Sequence, residues 1–151
     1  MSLGGSGGGA MQQIQEQMQA LEQEKEAIEN EIENVREEQG EIDEAIEAIE
    51  ALDSGSTVQV PLGGDAYVRA EIQDMDEVIV TLGGGYAAER DSDGAIDSLE
   101  TKKETLDDRI ADLEAEIEAV EAETEDLEAK AQQAQQQQMQ QMQQQMQQDD
   151  E

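Results

Sequence analysis

From Met11 onward the apolar residues step by three and four without a slip. With Met11 as a heptad a position, the a positions are Met11, Met18, Lys25, Ile32, Gln39 and Ile46, and the d positions are Ile14, Leu21, Ile28, Val35, Ile42 and Ile49. Ten of these twelve are apolar, which predicts a coiled-coil helix. A second run places Ile96, Lys103, Ile110, Ile117, Thr124 and Ala131 at a, with Leu99, Leu106, Leu113, Val120, Leu127 and Ala134 at d. Each run covers about 40 residues, roughly 60 Å at 1.5 Å per residue. Equal lengths predict that the two helices pair with each other, antiparallel, as a hairpin. Gly55 is expected to cap the first helix, and Ser92 or Asp93 to cap the second at its N-terminus. Gly40, at an outward b position, marks an expected bend.

Between the rods the period changes from 3.5 to 2. In "TVQVPLGGDAYVRAEIQDMDEVIVTLGGGYAAERD" (57–91), apolar residues alternate with polar ones and are broken by glycines. Four strands are predicted, 57–62, 66–72, 78–82 and 86–90, forming two β-hairpins. An isolated hairpin is marginal in water, so these strands need partners on other subunits. They read as an assembly platform carried by Val58, Val60, Leu62, Tyr67, Val68, Ile72, Val78, Ile79, Val80, Leu82 and Tyr86. The fold class is α+β: a long antiparallel coiled-coil hairpin with two β-hairpins inserted at its turn. The organisation follows as a flexible Gly/Ser-rich start (1–10), a first helix (11–52), the strands (53–93), a second helix (94–135) and a Gln/Met-rich tail (136–151).

Composition alters the picture in two ways. The chain of 151 residues carries 40 acidic and 8 basic residues, a formal net charge of -32. Without the heptads such a balance would read as disorder. It repels nucleic-acid phosphates and anionic lipid, so neither is an expected partner. It also repels itself, and near 1 M salt the Debye length falls to about 3 Å, which points to a salt-rich cytoplasm. All six basic residues of the rods lie on or beside the seam: Lys25 and Lys103 at a, Arg36 at e, and Lys102, Arg109 and Lys130 at g. There they offset carboxylates across the interface while the outer face stays acidic.

Absent residue types restrict the chemistry. The chain has no His, Cys, Phe or Trp, hence no thiolate nucleophile, imidazole base, disulfide or soft-ligand zinc site. "MSLGGSGGGA" lacks the basic region and apolar core of a signal peptide, and no window approaches 18 consecutive apolar residues. A soluble cytoplasmic protein is expected. "GGGYAA" matches a dinucleotide-binding pattern on paper, but that pattern needs a helix opening within the glycines. "DSDG" (91–94) resembles the start of a calcium loop, but its Gly falls too early and no Glu closes the loop. Carboxylates converge nowhere, so neither an enzyme, a metal site nor a cofactor is expected.

Read in order, the first rod, "VQVPLGGDAYVRAEI", "DEVIVTLGGGYAAERD" and "GAIDSLETKKETLDDRI" resemble the α-type subunit of archaeal prefoldin, over about residues 11 to 130. Two hairpins rather than one, and the acid excess, resemble a haloarchaeal α type. The resemblance implies two α and four β subunits, with the strands of all six in a double β-barrel. It also implies coiled coils that hold unfolded polypeptide near their free tips, without nucleotide, and deliver it to a group II chaperonin. Both termini lie at the tip, where Met11, Ile14, Met18, Leu21, Met139, Met142 and Met146 are the candidate client-binding residues. Methionine suits a surface that must fit many apolar sequences. The rival reading is an acidic scaffolding coiled coil with no client-holding role, which leaves the hairpins and the Met-rich tip without purpose.

Overall fold

The computed structural model describes residues 3–149, with side chains over 9–148 apart from Leu82. Its elements run α1 (Leu3–Ala51), β1 (Thr57–Gly63), β2 (Ala66–Glu71), β3 (Val78–Gly83), β4 (Tyr86–Arg90) and α2 (Ser92–Asp149). Two long helices and two antiparallel hairpins are thus in place, β1 with β2 and β3 with β4. The chain divides into an inner unit, Asn34–Ile110, and an outer unit made of the remaining parts of both helices.

In both units every a and d position of the heptads is buried or half-buried. In the outer unit Ile28, Ile32, Leu113 and Val120 are buried, and in the inner unit Val35, Ile42, Leu99 and Ile110. The inner core adds two residues outside the heptads, Val80 from β3 and Ala95 from the first turn of α2, packed with Ile42 and Leu99. Each helix overruns its heptads. α1 takes in residues 3–10, and α2 continues through the Gln/Met tail to Asp149. Glutamine and methionine are good helix formers, and adding residues to an existing helix costs far less than starting one. Gly40 lies exposed in the unbroken α1.

The two hairpins share one construction. Gly64 and Asp65 in the first, and Gly84 and Gly85 in the second, all have positive φ, as a two-residue type I′ turn requires. Before each turn the register slips by one, so that Leu62 and Leu82 are the extra residues of matching bulges. β4 runs antiparallel to β3, which removes the βαβ context that nucleotide binding at "GGGYAA" would need. Ile72 falls just past the end of β2 but keeps the ladder going: its N–H donates to the Ser56 carbonyl (2.8 Å) and its carbonyl accepts from Gly55 N–H (2.7 Å).

Both expected caps are displaced. The N-cap of α2 is Asp91, whose Oδ1 accepts from Gly94 N–H at 2.8 Å while its carbonyl accepts from Ala95 N–H. Ser92 and Asp93 are already helical, and the Ser92 hydroxyl instead donates to the Met75 carbonyl at 2.7 Å. A Cβ on Gly94 would lie 2.6 Å from that Asp91 oxygen, so the glycine is what lets the cap close. Gly55 does not end α1. It has φ +88° in the turn that Ser56 N–H closes onto the Asp53 carbonyl, the third turn position where a type II turn needs positive φ.

Candidate functional site

Two surfaces carry the expected site residues. The first is the hairpin face of the inner unit. Alternation along β1–β2 puts Val58, Val60, Val68 and Ala70 on one side of the ladder, as the pairs Val60 with Val68 and Val58 with Ala70. Val60 and Val68 are 40% and 46% exposed, and Leu62 and Tyr67 more so. An alternating strand normally turns such a face onto a core. In β3–β4 the corresponding face is turned inward, where Val80 is buried and Val78 half-buried against the helices. Ile79 and Tyr86 remain exposed at 67% and 76%. The expected set therefore splits. Val78 and Val80 are core residues of their own chain, while Val60, Leu62, Tyr67, Val68, Ile79 and Tyr86 are offered outward. Val58 and Ile72 are half-buried, and the side chain of Leu82 lies outside the described residues.

Polar links position the hairpins, and the heptads gave no sign of them. Lys102 Nζ donates to the Thr81 carbonyl of β3 at 2.9 Å. The Ser54 hydroxyl accepts from Met75 N–H at 3.0 Å, and with the Ser92 bond it ties together the loop after α1, the loop between the hairpins and the start of α2. Lys102 thus reaches a strand carbonyl rather than a seam carboxylate.

The polar seam positions do face one another. Gln39 Nε2 donates to Asp107 Oδ1 (2.6 Å) and to the Lys103 carbonyl (3.2 Å), and Lys103 Nζ meets Asp43 Oδ1 at 2.7 Å. In the outer unit Lys25 Nζ meets Glu121 Oε1 at 3.2 Å. Hydrogen bonding to these carboxylates holds both ammonium groups above the ordinary lysine range. The pairs are partly exposed, where ion pairs add little stability. Their greater effect is on alignment, since a polar a position is satisfied in one register only.

The second surface is the outer end. Counting outward from the Lys25–Glu121 pair, Met11 stands opposite Gln135 in an antiparallel pair. The segment of α2 beyond Gln135 therefore runs past Met11, the first heptad residue of α1. The expected client-binding set divides accordingly. Met11, Ile14, Met18 and Leu21 are half-buried in the seam. Met139, Met142 and Met146 are exposed at 64%, 63% and 72%. Spaced by three and four, they line one face of the helix, one residue out of phase with the seam that ends at Ala134. From Ala131 to Gln148 the helix carries no charged residue. Among the described residues no group of three or more His, Cys, Asp or Glu is placed to hold a metal ion. No described helix is long and apolar enough to cross a membrane.

One unit carries an exposed methionine stripe on its second helix, and the other carries two hairpins with exposed apolar residues. The family model described as "Prefoldin subunit" matches residues 11–149. The chain belongs to the prefoldin family. It is 71% identical to the prefoldin subunit alpha of Haloarcula marismortui over 70% of this chain and 69% of that one. It is 65% identical to the prefoldin subunit alpha of Halobacterium salinarum over 75% and 73%. A filamentous prefoldin from Methanocaldococcus jannaschii superposes with a TM-score of 0.54 at 27% identity, over 82% of this chain and 98% of that one. The prefoldin beta subunit from Thermococcus strain KS-1 shares the fold, with a TM-score of 0.52 at 21% identity, over 82% and 90%. The chain is accordingly a prefoldin chaperone subunit of haloarchaeal kind, and a purely scaffolding role is not favoured.

Proposed function

We propose that this prefoldin subunit holds unfolded polypeptides at the outer end of its helices and passes them to a group II chaperonin, without nucleotide and without chemistry of its own. The observation that carries the reading is the Met139, Met142 and Met146 stripe, exposed on an uncharged helical segment of a strongly acidic chain. Flexible thioether side chains adapt to apolar segments of many shapes, and the absence of charge lets acidic clients approach. Met11, Ile14, Met18 and Leu21 close the seam beneath and serve as its support.

The open face of β1–β2 supports the second half of the reading. Val60 and Val68, with Leu62, Tyr67, Ile79 and Tyr86, join strands of prefoldin β subunits in a hexamer of two α and four β chains, in the cytoplasm. The net charge of -32 makes that hexamer depend on screening, so its native mass is expected to hold at multimolar salt and to fall on dilution.

The direct test of client holding is removal of residues 136–151 from the subunit co-expressed with its β partner. Suppression of aggregation of a chemically unfolded client should weaken several-fold while the native mass changes only by the lost residues. Unchanged suppression would place client holding elsewhere.

A further inference from the structure

Methionine is used unevenly in this chain. From Leu21 to Ile49 and from Ile96 to Ala134 both seams are built without it. It enters the helices only at the outer end, as Met11 and Met18 on α1 and Met139, Met142 and Met146 on α2. Leucine would supply similar apolar surface with similar helix propensity. What methionine adds is flexibility and a sulfur lone pair that an oxidant attacks. Since the chain has no cysteine, its thioethers are its most readily oxidised groups.

Access to those thioethers is not equal. Met139, Met142 and Met146 are each more than 60% exposed, whereas Met11, Met18 and Met75 are half-buried. Met75 is further held by its backbone bonds to Ser54 and Ser92. Oxidation of methionine follows exposure. The glutamines flanking the tail carry no charge and offer no competing oxidisable group.

We propose that Met139, Met142 and Met146 form a methionine-sulfoxide modification site, oxidised by peroxide ahead of the other methionines among the described residues, and that their oxidation releases the grip on clients. The second half rests on the client-holding reading. In each event the sulfur attacks one peroxide oxygen, the O–O bond breaks, an S–O bond forms and the second oxygen leaves as water. Sulfur loses two electrons and peroxide gains them. Each sulfoxide turns a flexible apolar group into a polar one with a strong acceptor oxygen, so the stripe ceases to attract apolar segments. Enzymatic reduction of the sulfoxides restores it.

Trypsin separates the groups. Cleavage after Lys130 leaves all three tail methionines in residues 131–151. Met75 falls in residues 70–90, and Met11 and Met18 fall with Met1 in residues 1–25, where fragment masses tell the three apart. The experiment treats the assembled complex with graded hydrogen peroxide, then measures peptide masses and suppression of client aggregation. The tail peptide should gain three oxygens, about 16 Da each, at doses that leave Met11, Met18 and Met75 largely unmodified. Suppression should fall several-fold in step, and methionine sulfoxide reductases should restore it. In the Met139→Leu/Met142→Leu/Met146→Leu variant, suppression should be the same before and after peroxide, whatever its starting level. Oxidation of Met75, Met11 or Met18 first would overturn the site. Tail sulfoxides formed with suppression intact would overturn the switch, and Met139→Gln/Met142→Gln/Met146→Gln then tells the two ideas apart. If the glutamine variant loses suppression, client holding stands and only the switch fails. If it keeps suppression, both fail.

Discussion

In the first hairpin Val60 and Val68 face each other across the ladder at 40% and 46% exposure, while in the second the equivalent Val80 faces Ala88 and is 5% exposed. The turns and the bulges correspond, while the tyrosines are one place apart: Tyr67 pairs with Pro61 and Tyr86 with Gly83. What differs is what lies beneath. β3–β4 is bounded on one side by α2, whose first turns bring Ala95 and Leu99 against Val80 and whose Lys102 clasps Thr81. The buried cluster of Ile42, Val80, Ala95 and Leu99 takes in no residue of β1–β2 among the described residues, and there Val58 and Ala70 are only half-buried. One hairpin is thereby part of the fold of its own chain, and the other leaves Val60 and Val68 exposed, the face to which the proposed function assigns assembly. The same alternating sequence serves either purpose, and only the neighbours decide which.

The sharpest way to break this comparison is to place one charge on each hairpin. Val80→Asp puts an unpaired carboxylate into the inner core, at a cost on the order of 3–5 kcal/mol. The thermal transition followed by circular dichroism should shift down steeply, and the helical signal of the inner unit should be lost first. Val60→Asp should leave that transition nearly unchanged, since surface substitutions stay within about 0.5 kcal/mol. Equal destabilisation by the two would show that β1–β2 is also part of the chain's own core.

Assembly should respond in the opposite order. With the β subunit co-expressed at multimolar salt, Val60→Asp/Val68→Asp is expected to abolish the hexameric native mass, because like charges across one rung repel each other and the partner strand. A hexamer that survives the double change would move the interface to Ile79 and Tyr86.

How the hairpins meet the helices was only partly legible in the sequence. Heptads identified every seam residue, because burial along a coiled coil is set by period alone. Strand limits were readable within a residue from the glycines, since φ > 0 at Gly64, Gly84 and Gly85 leaves little choice. The division between Val80 and Val60 was not readable, because it depends on which helix turn lies behind each strand. At the outer end Met11 and Met139 look alike in sequence, but Met11 occupies a heptad position and is half-buried, whereas Met139 lies past the last heptad residue, Ala134, and is exposed. The Asp91 cap went unseen because Ser92 and Asp93 are equally good capping residues. It is Gly94, three residues after Asp91, that selects the register.

That cap ties β4 to α2 and so sharpens the difference between the hairpins. Asp91→Ala removes the acceptor for Gly94 N–H and should destabilise the inner unit by about 1 kcal/mol, with backbone amide exchange rising over residues 92–98. Exchange in β1–β2 should stay as it was. Gly40→Ala acts in the other direction. The site is exposed in mid-helix with open space where the Cβ would go, so the change should stabilise by up to about 1 kcal/mol without altering assembly. A loss of assembly would mean that a neighbouring chain packs on that glycine.

The smallest effect expected is that of the Lys103–Asp43 pair beside the buried cluster under β3. Asp43 raises the Lys103 pKa above its ordinary 10.5. A raised folded-state value means that the charged form is favoured by folding. Its contribution is therefore complete below pH 10.5 and is lost as the pH climbs through the raised value. The melting temperatures of the wild type and Lys103→Met should differ by a constant amount between pH 6 and pH 9 and converge only in strong alkali. Since the pair is 39% and 53% exposed at its two side chains, multimolar salt should shrink the difference at every pH. A difference that persists unchanged into strong alkali and at multimolar salt would assign it to the packing of the lysine stem rather than to its charge, and would leave Gln39 with Asp107 as the polar contact that fixes the register of the inner seam.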